Sequence, residues 1–112
     1  VFALPELFDI LKVLGDETRY RLVKILLQHD FCVGALAKQL DMSESAVSQH
    51  LKLLRNAGIV KGEKRGYFTH YYIDRGFLRS AAKQLAELCE LEKIEGTCTK
   101  AGFNSCCRKK RK

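Results

Sequence analysis

Two short helical patterns separated by only three residues, and followed at once by a change of period, narrow the folds open to this chain more than anything else in it. Val33, Leu36, Ala37 and Leu40 recur at the i, i+3, i+4, i+7 spacing of about two helical turns. Asp41, Met42 and Ser43 interrupt the pattern. Ser43 is a residue type that caps a following helix by accepting a bond from its early amides, and Glu44 suits the positive first turn. Val47, Leu51 and Leu54 then share one face as far as Asn56, Ala57 and Gly58, where Gly58 is free to take the positive φ of a helix stop. The spacing predicts helices over 33–40 and 44–56 joined by a tight turn, the helix-turn-helix arrangement.

After Gly58 the pattern turns β-like. Ile59 to Lys61 read as a strand, Gly62 to Gly66 as a polar tip and Tyr67 to Ile73 as the return strand. An isolated two-stranded hairpin is not stable in water, so it must pack on the helices as a wing. Tyr67, Phe68, Tyr71 and Tyr72 are expected to pack on the core from alternating strand positions rather than to form a base-stacking platform.

Upstream, Phe2, Leu4, Leu7, Phe8, Leu11 and Leu14 predict a first helix ended by Gly15. Asp16 stands as the cap of a second helix running to about Gln28 along Leu22, Val23, Leu26 and Leu27. From about Asp74 a last helix carries Phe77, Leu78, Ala81, Ala82, Leu85, Leu88 and Cys89, ahead of Leu91 and Ile94, an apolar face wide for so small a protein. The expected fold is mainly α with a two-stranded β-wing, a winged helix-turn-helix over 1–95, with an irregular basic tail carrying cysteines over 96–112. The first residue is Val1 rather than Met, so some native N-terminal residues are expected to have been removed or renumbered.

The outer face of the second helix of the pair offers Ser43, Glu44, Ser45, Ser48, Gln49 and Lys52. Small hydroxyls allow close approach to a duplex, Gln49 suits adenine edges, and Lys52 and Arg55 can neutralise phosphate. Lys61, Lys64 and Arg65 beside Gly62 and Gly66 form a cationic finger suited to phosphate or a minor groove. Bulk charge adds little to this reading. Of a net charge of +7, the six bases after Gly96 face no acid and supply all but +1.

No apolar run is long enough for a membrane span and no signal-peptide pattern opens the chain, so a soluble cytoplasmic protein is expected. Five cysteines, an odd number, do not suit a structural disulfide framework. They leave free thiols, a metal site or a redox switch. No Cys-x-x-Cys motif and no Ser, His and Asp set in a catalytic context is present, so an enzyme is not expected.

These segments, LKVLGDETRYRLVKILL (Leu11 to Leu27), FCVGALAKQLDMSESAVSQHLKLLRNAGIVKGEKRG (Phe31 to Gly66) and YFTHYYI (Tyr67 to Ile73), resemble the ArsR/SmtB metal-sensing repressors over more than half of the chain. The resemblance implies an all-helical core with a β-wing, a homodimer built through the first and last helices, and repression of double-stranded operator DNA relieved by an inducer. It places Ser43, Ser45, Ser48, Gln49 and His50 on the recognition helix, and Lys64, Arg65 and Gly66 on the wing. It also implies that no cofactor is required for binding DNA, the inducer being expected to be trivalent arsenic or another thiophilic ion.

The sensor sites of that family match less well. Where many arsenic and cadmium sensors carry Cys-x-Cys at the start of the third helix, this chain has Cys32-Val33-Gly34, one thiolate short. The Asp, His and Glu set of the zinc sensors on the last helix is absent, since His29, His50 and His70 all lie upstream. Cys98, Cys106 and Cys107 remain, with Cys89 as a further donor. Three thiolates suit a soft ion such as trivalent arsenic, Cd²⁺ or Cu⁺, and neighbouring Lys and Arg should lower the thiol pKa values. The alternatives are an unstructured tail with incidental thiols, or a redox or persulfide sensor pairing Cys32 with Cys89. Cys32 also reads simply as a small buried apolar residue at a helix start.

Overall fold

The computed structural model describes residues 7–95. Five helices and one hairpin follow in the order α1 (Leu7–Leu14), α2 (Glu17–Gln28), α3 (Val33–Leu40), α4 (Glu44–Asn56), β1 (Val60–Arg65), β2 (Phe68–Ile73) and α5 (Arg75–Glu87), with a closing 3₁₀ turn at Leu88–Glu90. Helix boundaries sit at the capping residues. The side chains of Asp16, Ser43 and Asp74 accept the backbone N–H of Arg19, Ala46 and Phe77 at 3.1, 3.1 and 3.0 Å, each satisfying a donor left free in a first helical turn. Among the described residues, no helix is long and apolar enough to cross a membrane.

One apolar core joins all the layers. Ile10 of α1, Leu22, Val23 and Leu26 of α2, Leu36, Ala37 and Leu40 of α3, and Val47, Leu51 and Leu54 of α4 are buried together with Ile59, Val60, Ile73 and Ala81. The stripes expected on the second, third and fourth helices are the ones that meet.

The turn between α3 and α4 holds its geometry through the backbone. Asp41 takes the left-handed conformation at φ 54°, one that Asp tolerates better than most residues. The Met42 N–H then reaches the Ala37 carbonyl at 3.0 Å, closing the helix end. Gly58 ends α4 at φ 92°, with the Phe77 ring 3.1 Å from where a Cβ would stand, so any side chain there would be strained and would also strike α5.

The hairpin differs from the expectation. Gly62 to Arg65 are not a loose tip but paired strand, in the antiparallel register Gly62↔Tyr71, Glu63↔His70, Lys64↔Thr69 and Arg65↔Phe68. The connection shrinks to Gly66 and Tyr67, with Gly66 at φ 66° in the first central position of a two-residue turn. That leaves Tyr67 and Phe68 exposed, at 97% and 61%, instead of packed on the core. Of the four aromatics expected inside, Tyr71 packs against the core and Tyr72 is half-buried. The wing is tied to the body by the Tyr71 N–H, which donates to the Phe31 carbonyl at 2.9 Å just ahead of α3.

Candidate nucleic-acid interface

Burial of Val47, Leu51 and Leu54 turns the opposite side of α4 to solvent. Ser43, Glu44, Ser45, Ser48, Gln49, Lys52, Arg55 and Asn56 are all exposed on it. Lys52 follows Ser48 by four positions, and Arg55 and Asn56 follow Lys52 by three and four, so these residues share a stripe. That stripe borders a cleft between α4 and the wing.

Two of the residues expected on the face are turned elsewhere. The Glu44 carboxylate leans back over the start of α3, its Oε2 lying 3.5 Å from where a Cβ on Gly34 would stand. His50 is half-buried and its Nδ1 lies 3.2 Å from the Arg19 guanidinium. Arginine can only donate, so Nδ1 accepts and the ring proton of a neutral His50 belongs on Nε2. Arg19 also donates from Nε to the Val13 carbonyl at 2.6 Å, so one side chain links the end of α1, the start of α2 and the middle of α4.

Asp16 completes this network. The backbone N–H of Arg19 holds its carboxyl below the usual carboxylate value, with the nearby charge of Arg19 acting in the same direction against some desolvation. A folded-state pKa depressed in this way contributes stability above the unfolded value and loses it as pH falls through the folded one. Thermal midpoints should therefore decline as pH drops below about 4, and Asp16→Asn should flatten that decline. An identical acid profile for the variant would remove Asp16 from the account.

On the wing, little of the charge is free. Arg65 donates from one guanidinium nitrogen to Asp30 Oδ2 at 2.9 Å and to Glu63 Oε1 at 3.1 Å, and these two carboxylates push its pKa up. Lys61 pairs with Asp74 at 3.7 Å. Among the described residues Lys64 makes no ion pair, and neither do Lys52 and Arg55. Arg65 is thus held as a strut between the wing and the loop before α3. No local signal in the sequence marks Asp30, 35 positions away, as its partner.

The cysteines divide between described and undescribed segments. Cys98, Cys106 and Cys107 lie outside the described residues. Cys32 and Cys89 are both free thiols. Cys89 is exposed in the closing 3₁₀ turn. Cys32, expected to be buried, is half-buried at the N-cap of α3, where its thiol caps no amide. It lines a cavity of about 280 Å³ with Gly34, Glu44, Thr69 and Tyr71. Among the described residues no three His, Cys, Asp or Glu side chains cluster closely enough to hold a metal ion, so the start of α3 does not fit a thiolate metal site by itself.

Comparison with known proteins supplies relatives for this arrangement. Residues 16–61 match the family described as "Bacterial regulatory protein, arsR family". The arsenical resistance operon repressor of Escherichia coli (strain K12) is 34% identical over 108 residues, spanning 94% of this chain and 91% of that protein. A cadmium resistance transcriptional regulatory protein CadC homolog from Staphylococcus aureus is 34% identical across 77% of this chain and 69% of its own length. Among solved structures, an ArsR-like transcriptional regulator from Rhodococcus sp. RHA1 superposes with a TM-score of 0.70 at 28% identity, covering 75% of this chain and 79% of that one. A possible transcriptional regulator for arsenical resistance reaches 0.65 at 36% identity, covering 75% and 86%.

Proposed function

Since the chain belongs to the bacterial arsR family and is a DNA-binding transcriptional repressor, we propose that it acts as a homodimer that leaves its operator when cysteine thiolates take up a soft metal or metalloid ion, trivalent arsenic foremost. Its relatives are transcriptional regulators, a family that is not enzymatic. The observation that carries the proposal is the near full-length likeness to an arsenical resistance operon repressor, combined with three cysteines at 98, 106 and 107 that give a thiophilic ion the donors the start of α3 lacks.

The dimer reading is supported by apolar surface. Phe8 and Leu11 of α1, Leu85 of α5, and Leu88, Leu91 and Ile94 beyond it are all exposed, and α1 packs against α5, so one end of the fold offers these side chains to a second copy. Two recognition helices related by a two-fold axis would then read half-sites about one helical turn apart. In this reading Ser45, Ser48 and Gln49 meet base edges, Lys52 and Lys64 meet phosphate, and Ser43 caps the helix that carries them. Residues 1–95 form the binding and dimerisation domain, and 96–112 the sensing tail.

The test uses a duplex enriched from a random library by the reduced protein, titrated with and without arsenite. Allosteric coupling of about 1–3 kcal/mol should weaken wild-type binding roughly 5- to 150-fold, and leave a Cys98, Cys106 and Cys107 triple Ser variant unaffected. Equal weakening in both proteins would eliminate the tail site. No response to arsenite, with release by polysulfide instead, would replace metal sensing by thiol oxidation.

A further inference from the structure

The cationic finger expected at the wing tip is largely spent, because Arg65 and Lys61 are paired with carboxylates. Unpaired charge lies instead in the cleft of about 520 Å³ between α4 and β2, lined by Ser48, Leu51, Lys52, Arg55, Asn56 and Tyr71. Among the described residues, no acidic side chain lines it. Leu51 is the buried floor, and the remaining groups are two cations, a hydroxyl, a carboxamide and an aromatic ring.

We propose that this cleft is a phosphodiester-binding site, in which Lys52 and Arg55 grip the backbone of the strand passing between recognition helix and wing, and Tyr71 positions Arg55. The inference rests on the reading of the chain as a DNA-binding protein and names where its electrostatic hold lies. The Arg55 guanidinium sits over the Tyr71 ring, 5.8 Å from the centroid, within the range of a cation–π contact. Tyr71 is itself fixed by its backbone bond to Phe31 and by its pairing with Gly62. Arg55 is thereby restrained by a neutral group that leaves its charge and donors free for an anion, whereas Arg65 is held by groups that neutralise it. The Asn56 amide, on the same helix face, supplies a further donor of the kind that commonly bonds phosphate oxygens.

A cation in the last turn of a helix also favours the negative helix terminus, and Arg55 is such a cation. That role would affect folding alone, so the two are separated by salt dependence. The probe is a fluorescein-labelled 30-base-pair duplex of mixed sequence, bound by the full-length chain at several salt concentrations and followed by anisotropy. Lys52→Gln and Arg55→Gln should each lower the slope of log affinity against log salt by about 0.9 per bound chain, and the affinity by about eightfold near 0.1 M salt. Lys93→Gln, an equal loss of charge away from the cleft, should leave both near wild type. Tyr71→Leu should weaken binding about two- to fivefold with the slope retained, and Tyr71→Phe, which keeps the ring, should restore it. Thermal melts report whether each variant folds, and Lys52→Gln in mid-helix keeps the test open if Arg55→Gln does not.

Wild-type slopes in both cation variants, with the wild-type protein binding the duplex, would overturn the site. Equal binding by Tyr71→Leu and wild type would overturn the positioning role. A wild-type protein that binds no duplex at all would instead remove the DNA reading on which the site depends.

Discussion

Replacing Leu54 by Ala is expected to lower the free energy of unfolding by about 2–5 kcal/mol, a large share of the roughly 5–15 kcal/mol typical of a small domain. Leu54 has no exposed surface and lies in the same core cluster as Leu22, Leu36, Val47, Leu51 and Ile59. Truncation would forfeit its transfer from water and leave a cavity among side chains belonging to three helices and the start of the wing. The site would suffer with the fold, because the Leu54 carbonyl accepts the Ile59 N–H at 3.0 Å where α4 hands over to β1. Leu53→Ala is the matched control. That side chain is 45% exposed on the neighbouring turn of surface, and its loss should cost within about 0.5 kcal/mol. Urea unfolding of the pair measures the difference, and equal midpoints for the two variants would show that α4 is not seated as described.

Placing glutamate at both Phe8 and Leu88 is expected to convert the proposed dimer to a monomer and to cut operator affinity by about 10²- to 10⁴-fold. Both side chains are exposed, at 67% and 53%, so the change should leave the isolated chain folded. Across a two-fold interface each carboxylate would be buried twice against apolar surface without a partner, which disfavours association strongly. The affinity loss follows from geometry rather than from any contact to DNA. A linked second half binds at the high effective concentration set by the first, and a monomer loses that advantage. Analytical ultracentrifugation with duplex titration checks both parts. A double variant that still sediments as a dimer would move the interface away from α1 and the end of α5.

The helix pair was legible because its signals are local. Val33 to Leu40 and Glu44 to Asn56 form helices over the spans their periodicity predicts, since apolar spacing, the Ser43 cap and the Gly58 stop all act within a few residues. The hairpin was legible only as to its existence. Its tip was read too long because Gly62 and the charged residues after it look like turn material, whereas Tyr71, Thr69 and Phe68 across the ladder keep them in register. Composition cannot reveal which backbone groups find partners.

The same division runs through the site. Chain order and side-chain chemistry alone set the elements, the outward polar face of α4 and the family to which they point. Which charges stand free to meet an anion was decided by the folded arrangement. Arg65 meets Asp30 across 35 positions, His50 meets Arg19 across 31, and Arg55 lies over Tyr71 on the neighbouring strand. A pattern of residues records what each group could do, but ion pairing and cation–π contacts depend on distances of a few ångströms, and those exist only once helices and wing have packed together.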